Sequence, residues 1–262
     1  MAKSIVITSG KGGVGKSTAA TSIGAGLASK GRRVLLIDMD IGLRSLDVML
    51  GAENDMVYDL VDVIQGTCML NQAVFHDKKH KGLSLLPASQ QMGAVSVTPG
   101  DMRALRYRLE EDYDFVLFDC PAGVDRGFRN ACAAADRAII VATPDVISIR
   151  SAEKVRDILS LDGIKDVSLL LNRITRKSAL STDECVNRLG LPVAGFVPED
   201  NRVPLCAADG RPVLDSESPA GEAYERIVRR LLGETMKYRI PHDSLLHRLR
   251  TGFGKEAACR KE

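Results

Sequence analysis

The chain lacks what it would need to enter a membrane as a span. No window of its 262 residues reaches the 18 or more consecutive apolar residues that a crossing requires. Near the amino terminus only Ile5-Val6-Ile7 is apolar, so neither a secretory signal nor a transmembrane helix is expected. The six cysteines, at 68, 120, 132, 185, 206 and 259, contain no C-x-x-C pair and no compact framework, which points to reduced thiols. Internal repeats are absent, as is any low-complexity linker before residue 236. With 45% hydrophobic content, a chain of this length buries a full core as one cytosolic α/β domain.

Short apolar, β-branched runs alternate with longer helical patterns. Strands are expected at Lys3–Ser9, Arg33–Asp38, Leu83–Leu86, Phe115–Phe118, Arg137–Ala142, Val167–Leu171 and Val193–Val197. Helices are expected at Ser17–Ser29, Asp101–Glu110, Ser148–Leu161, Ser181–Leu189 and Gly221–Leu232. This alternation predicts a mainly parallel sheet with helices on both faces, whose ligands bind at the carboxyl ends of the strands.

Between the first strand and the first helix lies Gly10-Lys11-Gly12-Gly13-Val14-Gly15-Lys16-Ser17-Thr18, which fits the phosphate-loop pattern G-x-x-x-x-G-K-[ST] at every fixed position. The glycines let the backbone turn tightly, so N–H groups and the positive end of the following helix converge on a polyphosphate. Lys16 then reaches the β- and γ-phosphates, and the Ser17 hydroxyl serves as a ligand for Mg²⁺. One lysine suffices for that task. Lys11 is therefore either a solvated surface charge or a residue with a second role.

With Lys11 included, the loop resembles the deviant Walker A motif of the MinD/ParA group of P-loop ATPases, and the resemblance continues through nearly the whole chain. In that family the extra lysine crosses a dimer interface to the partner's ATP. The resemblance therefore implies that Lys11, Lys16 and Asp40 are catalytic, with ATP and Mg²⁺ as cofactors. A cation supplied in trans follows the logic of an arginine finger, worth about 10³–10⁵ in rate.

The strand ends supply further candidates. Asp38-Met39-Asp40 and the following Gly42 and Arg44 resemble the family's switch I, which implies that Asp40 orients the attacking water and Asp38 holds Mg²⁺ waters. Simple capping by either aspartate is the alternative. Ser45 stands where the motif leads us to expect asparagine. Phe115-Val116-Leu117-Phe118-Asp119 reads as an apolar strand ending in a Mg²⁺-binding carboxylate, unless Asp119 merely opens a turn. Cys120-Pro121-Ala122-Gly123 corresponds by resemblance to the γ-phosphate-sensing switch II. Asn172-Arg173 and Pro198-Glu199-Asp200 close two strands at the same sheet edge, and the resemblance assigns them to the adenine ring. The guanine-specific N-K-x-D motif is absent, which favours ATP over GTP; Arg173 and Glu199 as plain surface charges remain the alternative. Cys120 and Cys132 suggest an iron–sulfur pair across a dimer, as in nitrogenase iron protein, but Cys132 lies in a small-residue run that reads as helix packing.

The carboxyl-terminal segment separates the branches of the family. Residues 236–262 hold seven Lys/Arg and three Asp/Glu, a net +4, whereas residues 1–235 hold 29 and 31, a net −2. We therefore divide the chain into an ATPase domain, 1–235, and a basic tail, 236–262, with an amphipathic helix at about 243–255. Leu245, Leu246, Leu249 and Phe253 share one face of that helix, with Arg248 and Arg250 toward the other side or its flanks. This is the layout of an interfacial anchor; packing on its own domain or on a partner is the other reading. Each basic residue beside an anionic leaflet contributes about 1 kcal/mol, so one short tail binds weakly. Two tails held in an ATP-bound dimer gain about 10²–10⁴-fold in avidity.

The resemblance thus implies a MinD-like ATPase: an ATP-bound homodimer, reversibly peripheral on the cytoplasmic face of the inner membrane or its plastid equivalent, that positions the division septum. Its implied partners are an anionic membrane surface, a MinC-like inhibitor and a MinE-like activator. A ParA-like DNA-segregation ATPase and a MinD-like regulator of flagellar number are the rivals, with a metabolic enzyme such as dethiobiotin synthetase more distant. The near-neutral domain and the apolar tail residues favour membrane over DNA, so no nucleic-acid partner is expected.

Overall fold

The computed structural model describes residues 2–90 and 97–241. Among these, eight strands form one sheet: β1 (Lys3–Thr8), β2 (Val34–Asp38), β3 (Phe75–His76), β4 (Leu83–Leu86), β5 (Phe115–Asp119), β6 (Arg137–Ala142), β7 (Asp166–Ile174) and β8 (Val193–Pro198). Their order is β3-β4-β2-β5-β1-β6-β7-β8, and only the β3–β4 pair is antiparallel. The connecting helices are α1 (Lys16–Ser29), α2 (Leu46–Met49), α3 (Leu60–Gln65), α4 (Leu70–Ala73), α5 (Pro99–Leu109), α6 (Arg126–Cys132), α7 (Val146–Leu161), α8 (Thr182–Leu189), α9 (Arg202–Ala208) and α10 (Pro219–Leu231). A 3-10 turn, Val213–Asp215, precedes α10.

Successive strand side chains point to opposite faces, so an unbroken apolar run serves two cores at once. Val6, Leu35, Ile37, Val116 and Phe118 join the layer that holds Met102 of α5 and Ile149 of α7. Ile5, Ile7, Leu36 and Leu117 join the other, with Ile23 of α1 and Tyr224 of α10.

Three helices begin two residues earlier than their apolar periodicity predicts. α5 starts at Pro99, α7 at Val146 and α10 at Pro219. The reason is capping: the side chains of Thr98, Asp145 and Ser218 accept hydrogen bonds from the N–H groups of Asp101, Ser148 and Gly221, which are the starts expected from sequence. Strand β3 and the short helices α2, α3, α4 and α9 carry too few turns to produce a periodic signal.

A charged cluster ties the β3–β4 turn to the 3-10 segment. His80 Nε2 lies 2.9 Å from Asp215 Oδ1, and Lys79 Nζ 2.6 Å from Asp215 Oδ2. The His80 backbone N–H donates to Asp77 Oδ1 at 2.8 Å. Hydrogen bonds with Asp215 and Asp77 outweigh burial and push the imidazole up to about 9.

Domain contacts run past residue 235, the boundary expected from composition: Tyr238 donates its hydroxyl to the Val193 carbonyl, and Arg239 pairs with Glu222. The expected amphipathic helix, with Leu245, Leu246, Arg248, Leu249, Arg250 and Phe253, lies outside the described residues, as does Cys259.

Candidate nucleotide site

The loop between β1 and α1 sits at the carboxyl edge of the sheet, and its glycines are required by two close approaches. Gly15 caps α1 in the left-handed region (φ 95°), and a Cβ there would strike the Asn172 amide. A Cβ at Gly10 would run into the Ser151 backbone on α7. Lys16 opens α1 with only 9% of its surface exposed, and Ser17 and Thr18 complete its first turn. No acidic residue stands in that turn, so its free N–H groups and positive end are left for an anion.

Across from Lys16 stand the carboxylates. Asp38 and Asp119 are register partners on β2 and β5, both buried. Asp38 accepts three backbone hydrogen bonds from the segment after β2: Asp40 N–H to Oδ1 at 2.9 Å, and Ser45 and Leu46 N–H to Oδ2 at 2.9 and 3.1 Å. Burial raises its carboxyl despite these bonds. One lone pair of Oδ1 remains for a metal-bound water. Asp40, beside it, is also raised by burial, with Lys16 pulling the other way.

Asp119 is pushed up to about 7, by burial first and by the Asp38 charge second, against the Ser17 hydrogen bond and the Lys16 charge. Its Oδ1 is buried without a hydrogen-bond partner. An orphan acceptor next to a serine hydroxyl is what a hydrated Mg²⁺ satisfies, so Ser17, Asp119 and Asp38 fit the metal expected from sequence. Ser45 enters the same cluster, donating its hydroxyl to Ser17 Oγ at 3.2 Å. The residue that departs from the expected asparagine thus joins the switch segment to the metal-binding serine. No group of three or more His, Cys, Asp or Glu among the described residues is arranged to hold a metal alone, so phosphate oxygens and waters would complete the shell.

On the other side of the loop a groove of about 590 Å³ runs between Lys11, Gly13, Thr143, Asp145, Arg173, Ser178 and Glu199. Lys11 is turned toward its own chain, its Nζ 3.6 Å from Asp145 Oδ1 at the start of α7. Burial works against ionisation of Asp145, yet bonds from Thr143 and Ser148 and the Lys11 charge lower it on balance. Arg173, in the left-handed region (φ 57°), pairs with Glu199 at 2.7 Å and donates to the Gly13 carbonyl at 3.2 Å. It therefore braces the phosphate loop against the end of β8.

Asn172 and Asp200 take structural bonds here. The Asn172 amide donates to the Val14 carbonyl at 2.8 Å, and Asp200 accepts from Arg202 and Ala220 N–H at 2.9 and 3.0 Å. Pro198 is buried at the end of β8. Of the five residues assigned to the base, Arg173 and Glu199 line the groove. Sequence reasoning passed over Thr143, Asp145 and Ser178. The available signal was Thr143-Pro144-Asp145, a turn-and-cap sequence closing β6 at the same sheet edge. Cys120 and Cys132 are free and buried, and burial raises both thiols, that of Cys132 to about 12. Both pack within the apolar core layer, as the small-residue run around Cys132 predicts.

Comparison with known proteins agrees with this geometry. The model of the AAA domain family matches residues 2–173. The septum site-determining protein MinD of Bacillus subtilis is 38% identical over 265 residues, covering 97% of this chain and 99% of the relative. Among solved structures, MinD in the MinC:MinD cell division protein complex of Aquifex aeolicus superposes with a TM-score of 0.85 at 38% identity, covering 91% of this chain and 98% of that one. MinD of Pyrococcus horikoshii, complexed with Mg-ADP, gives 0.81 at 27% identity, over 88% and 96%.

Proposed function

This chain belongs to the MinD family of septum site-determining ATPases, and we propose that its nucleotide site makes membrane attachment depend on subunit pairing. It hydrolyses ATP to ADP and phosphate with Mg²⁺, in the service of placing the division septum. The observation that carries the site assignment is the convergence of Lys16, Ser17 and the unpartnered Asp119 Oδ1 at one sheet edge.

Residues Gly10 to Thr18 wrap the phosphates with backbone N–H groups, and Lys16 offsets charge on the β- and γ-oxygens. Ser17, Asp119 and Asp38 would hold Mg²⁺ and its waters, and the ion would neutralise charge that builds on the phosphoryl oxygens. Asp40 orients the attacking water, beside Lys16. Lys11 leaves Asp145 and reaches the phosphates of a second copy, so that hydrolysis accompanies pairing. Arg173 and Glu199, with Asn172, Pro198 and Asp200 behind them, form the base end of the site.

Pairing brings two tails together, and Leu245, Leu246, Arg248, Leu249, Arg250 and Phe253 hold the pair on an anionic membrane until hydrolysis parts it. Among the described residues no helix is long and apolar enough to cross a membrane, which suits a peripheral mode of attachment. A MinC-like inhibitor and a MinE-like activator are the partners of the paired form, the first supported by the MinC:MinD complex of a relative.

Sedimentation with anionic liposomes, and separately with DNA, in ATP and in ADP, tests the cycle. The whole chain is expected to pellet with liposomes in ATP, and a truncation after Ile240 to stay in solution. Equal pelleting of the two would sink the anchor, and ATP-dependent pelleting with DNA would favour a segregation factor.

A further inference from the structure

The segment leading into the tail is strapped to the domain, and its fastenings converge on one arginine. Arg230, on α10, donates from Nη2 to the Lys237 carbonyl at 3.0 Å, from Nε to the Met236 carbonyl at 3.4 Å and from Nη1 to the Ala194 carbonyl at 3.2 Å. Its guanidinium lies over the Tyr238 ring, 4.2 Å from the centroid. The Tyr238 hydroxyl donates to the Val193 carbonyl at 2.6 Å, and the ring meets Phe196 edge-on at 5.9 Å. Arg239 then pairs with Glu222 at 3.2 Å. Residues 236–239 are thus fixed against the beginning of β8, the strand that ends at Pro198, one residue before Glu199 of the nucleotide groove.

We infer that Arg230 and Tyr238 are positioning residues for membrane attachment: by strapping residues 236–239 to β8 they fix where the tail leaves the domain. The inference rests on the membrane reading above. Its consequence follows from chain statistics. Without the strap, Leu245, the first apolar tail residue, lies 14 positions beyond Leu231, the end of α10. An ideal flexible chain spans about 20 Å in the mean over 14 positions but about 13 Å over six, the number from Arg239 to Leu245. Effective concentration falls roughly as the −3/2 power of linker length, so the strap raises engagement of the second tail about three- to fourfold. Binding of a single tail is unchanged, because the tail's own residues are the same.

Tyr238→Ala in the full chain tests the proposal by two measurements. Trypsin cleavage after Lys237 and Arg239 is expected to quicken, reporting release of the segment. Liposome affinity is expected to fall about three- to fourfold in ATP and stay unchanged in ADP, with nucleotide binding intact. Tyr238→Phe keeps the ring over Arg230 and loses only the hydroxyl bond, so it should fall between. Unchanged cleavage overturns the strap, and faster cleavage with undiminished ATP-dependent affinity overturns its role in attachment. Should Tyr238→Ala lose nucleotide binding, the same two outcomes are read from Tyr238→Phe. The truncation after Ile240 separates the two layers: if it pellets like the whole chain, the membrane reading fails while trypsin still reports on the strap.

Discussion

Asp38 and Asp119 face the same small volume from neighbouring parallel strands, as direct register partners at the carboxyl edge of the sheet. Asp38 is tied down by three backbone N–H groups, while Asp119 keeps an oxygen without a partner and has its carboxyl pushed up to about 7. Two carboxylates so placed strain the nucleotide-free protein and become useful only when a cation arrives.

Asp119→Asn should therefore stabilise the nucleotide-free protein while abolishing Mg²⁺-dependent hydrolysis. A buried acid whose folded pKa lies above its unfolded value loses stability as pH rises from about 4 toward about 7, since the unfolded chain releases the proton first. The substitution removes that term, so melting at pH 7.5 should rise by a few degrees and the gain should vanish near pH 4. An unchanged or lower melting temperature at pH 7.5 would show that Asp119 is not strained.

Lys11→Ala should still bind ATP, because Lys16 and the loop backbone remain. Stimulated hydrolysis should drop by about 10³-fold or more, with stable pairing lost. Turnover with a MinE-like protein added, and sedimentation equilibrium in ATP, measure both. Full stimulated turnover would show that Lys11 does not act in trans, and its contact with Asp145 would then be its whole role.

Asp40→Ala should trap the ATP-bound, membrane-associated form, with turnover lowered about 10²–10⁴-fold. The segment around it is held by backbone bonds that survive the change: Asp38 accepts the residue-40 N–H, and the residue-40 carbonyl accepts from Leu43 and Arg44 N–H. A variant that binds ATP but never pellets with liposomes would instead assign Asp40 a structural role.

His80 gives the fold a pH dependence separate from the nucleotide site. Its pKa is raised to about 9 by Asp215 and Asp77, so the stabilisation is complete below about 6.5, the ordinary value, and is lost as pH rises through about 9. Melting temperature measured from pH 6 to pH 10 should fall for the wild type by a few degrees more than for His80→Gln, whose own value is lower at neutral pH. Parallel curves would remove His80 as the cause.

Phosphate loop, main strands and the Asp119 carboxylate were legible in sequence because each is a local pattern: fixed glycine spacing, or an apolar run ended by an acid. What escaped depends on contacts between distant segments. Asp145 meets Lys11 across more than 130 positions, and the Asn172 amide reaches Val14 across 158. The helix starts at Pro99, Val146 and Pro219 were displaced because apolar spacing marks the buried face, whereas the cap before it sets the first turn. Composition placed the domain boundary at 235, but Tyr238 and Arg239 hold to the domain through a ring stack, a hydroxyl bond and an ion pair that charge counting does not register.

The sheet's two outer strands offer little to a neighbouring molecule. β3 is two residues long, and carbonyls at the start of β8 are occupied by Tyr238 and Arg230. Growth of the sheet by adding a strand from another copy would join molecules whatever nucleotide they carried, and would be slow to reverse. Blunt flanks suppress that route. In the proposed cycle they would leave association to surfaces that can sense the bound nucleotide, and so protect that cycle from being bypassed by aggregation.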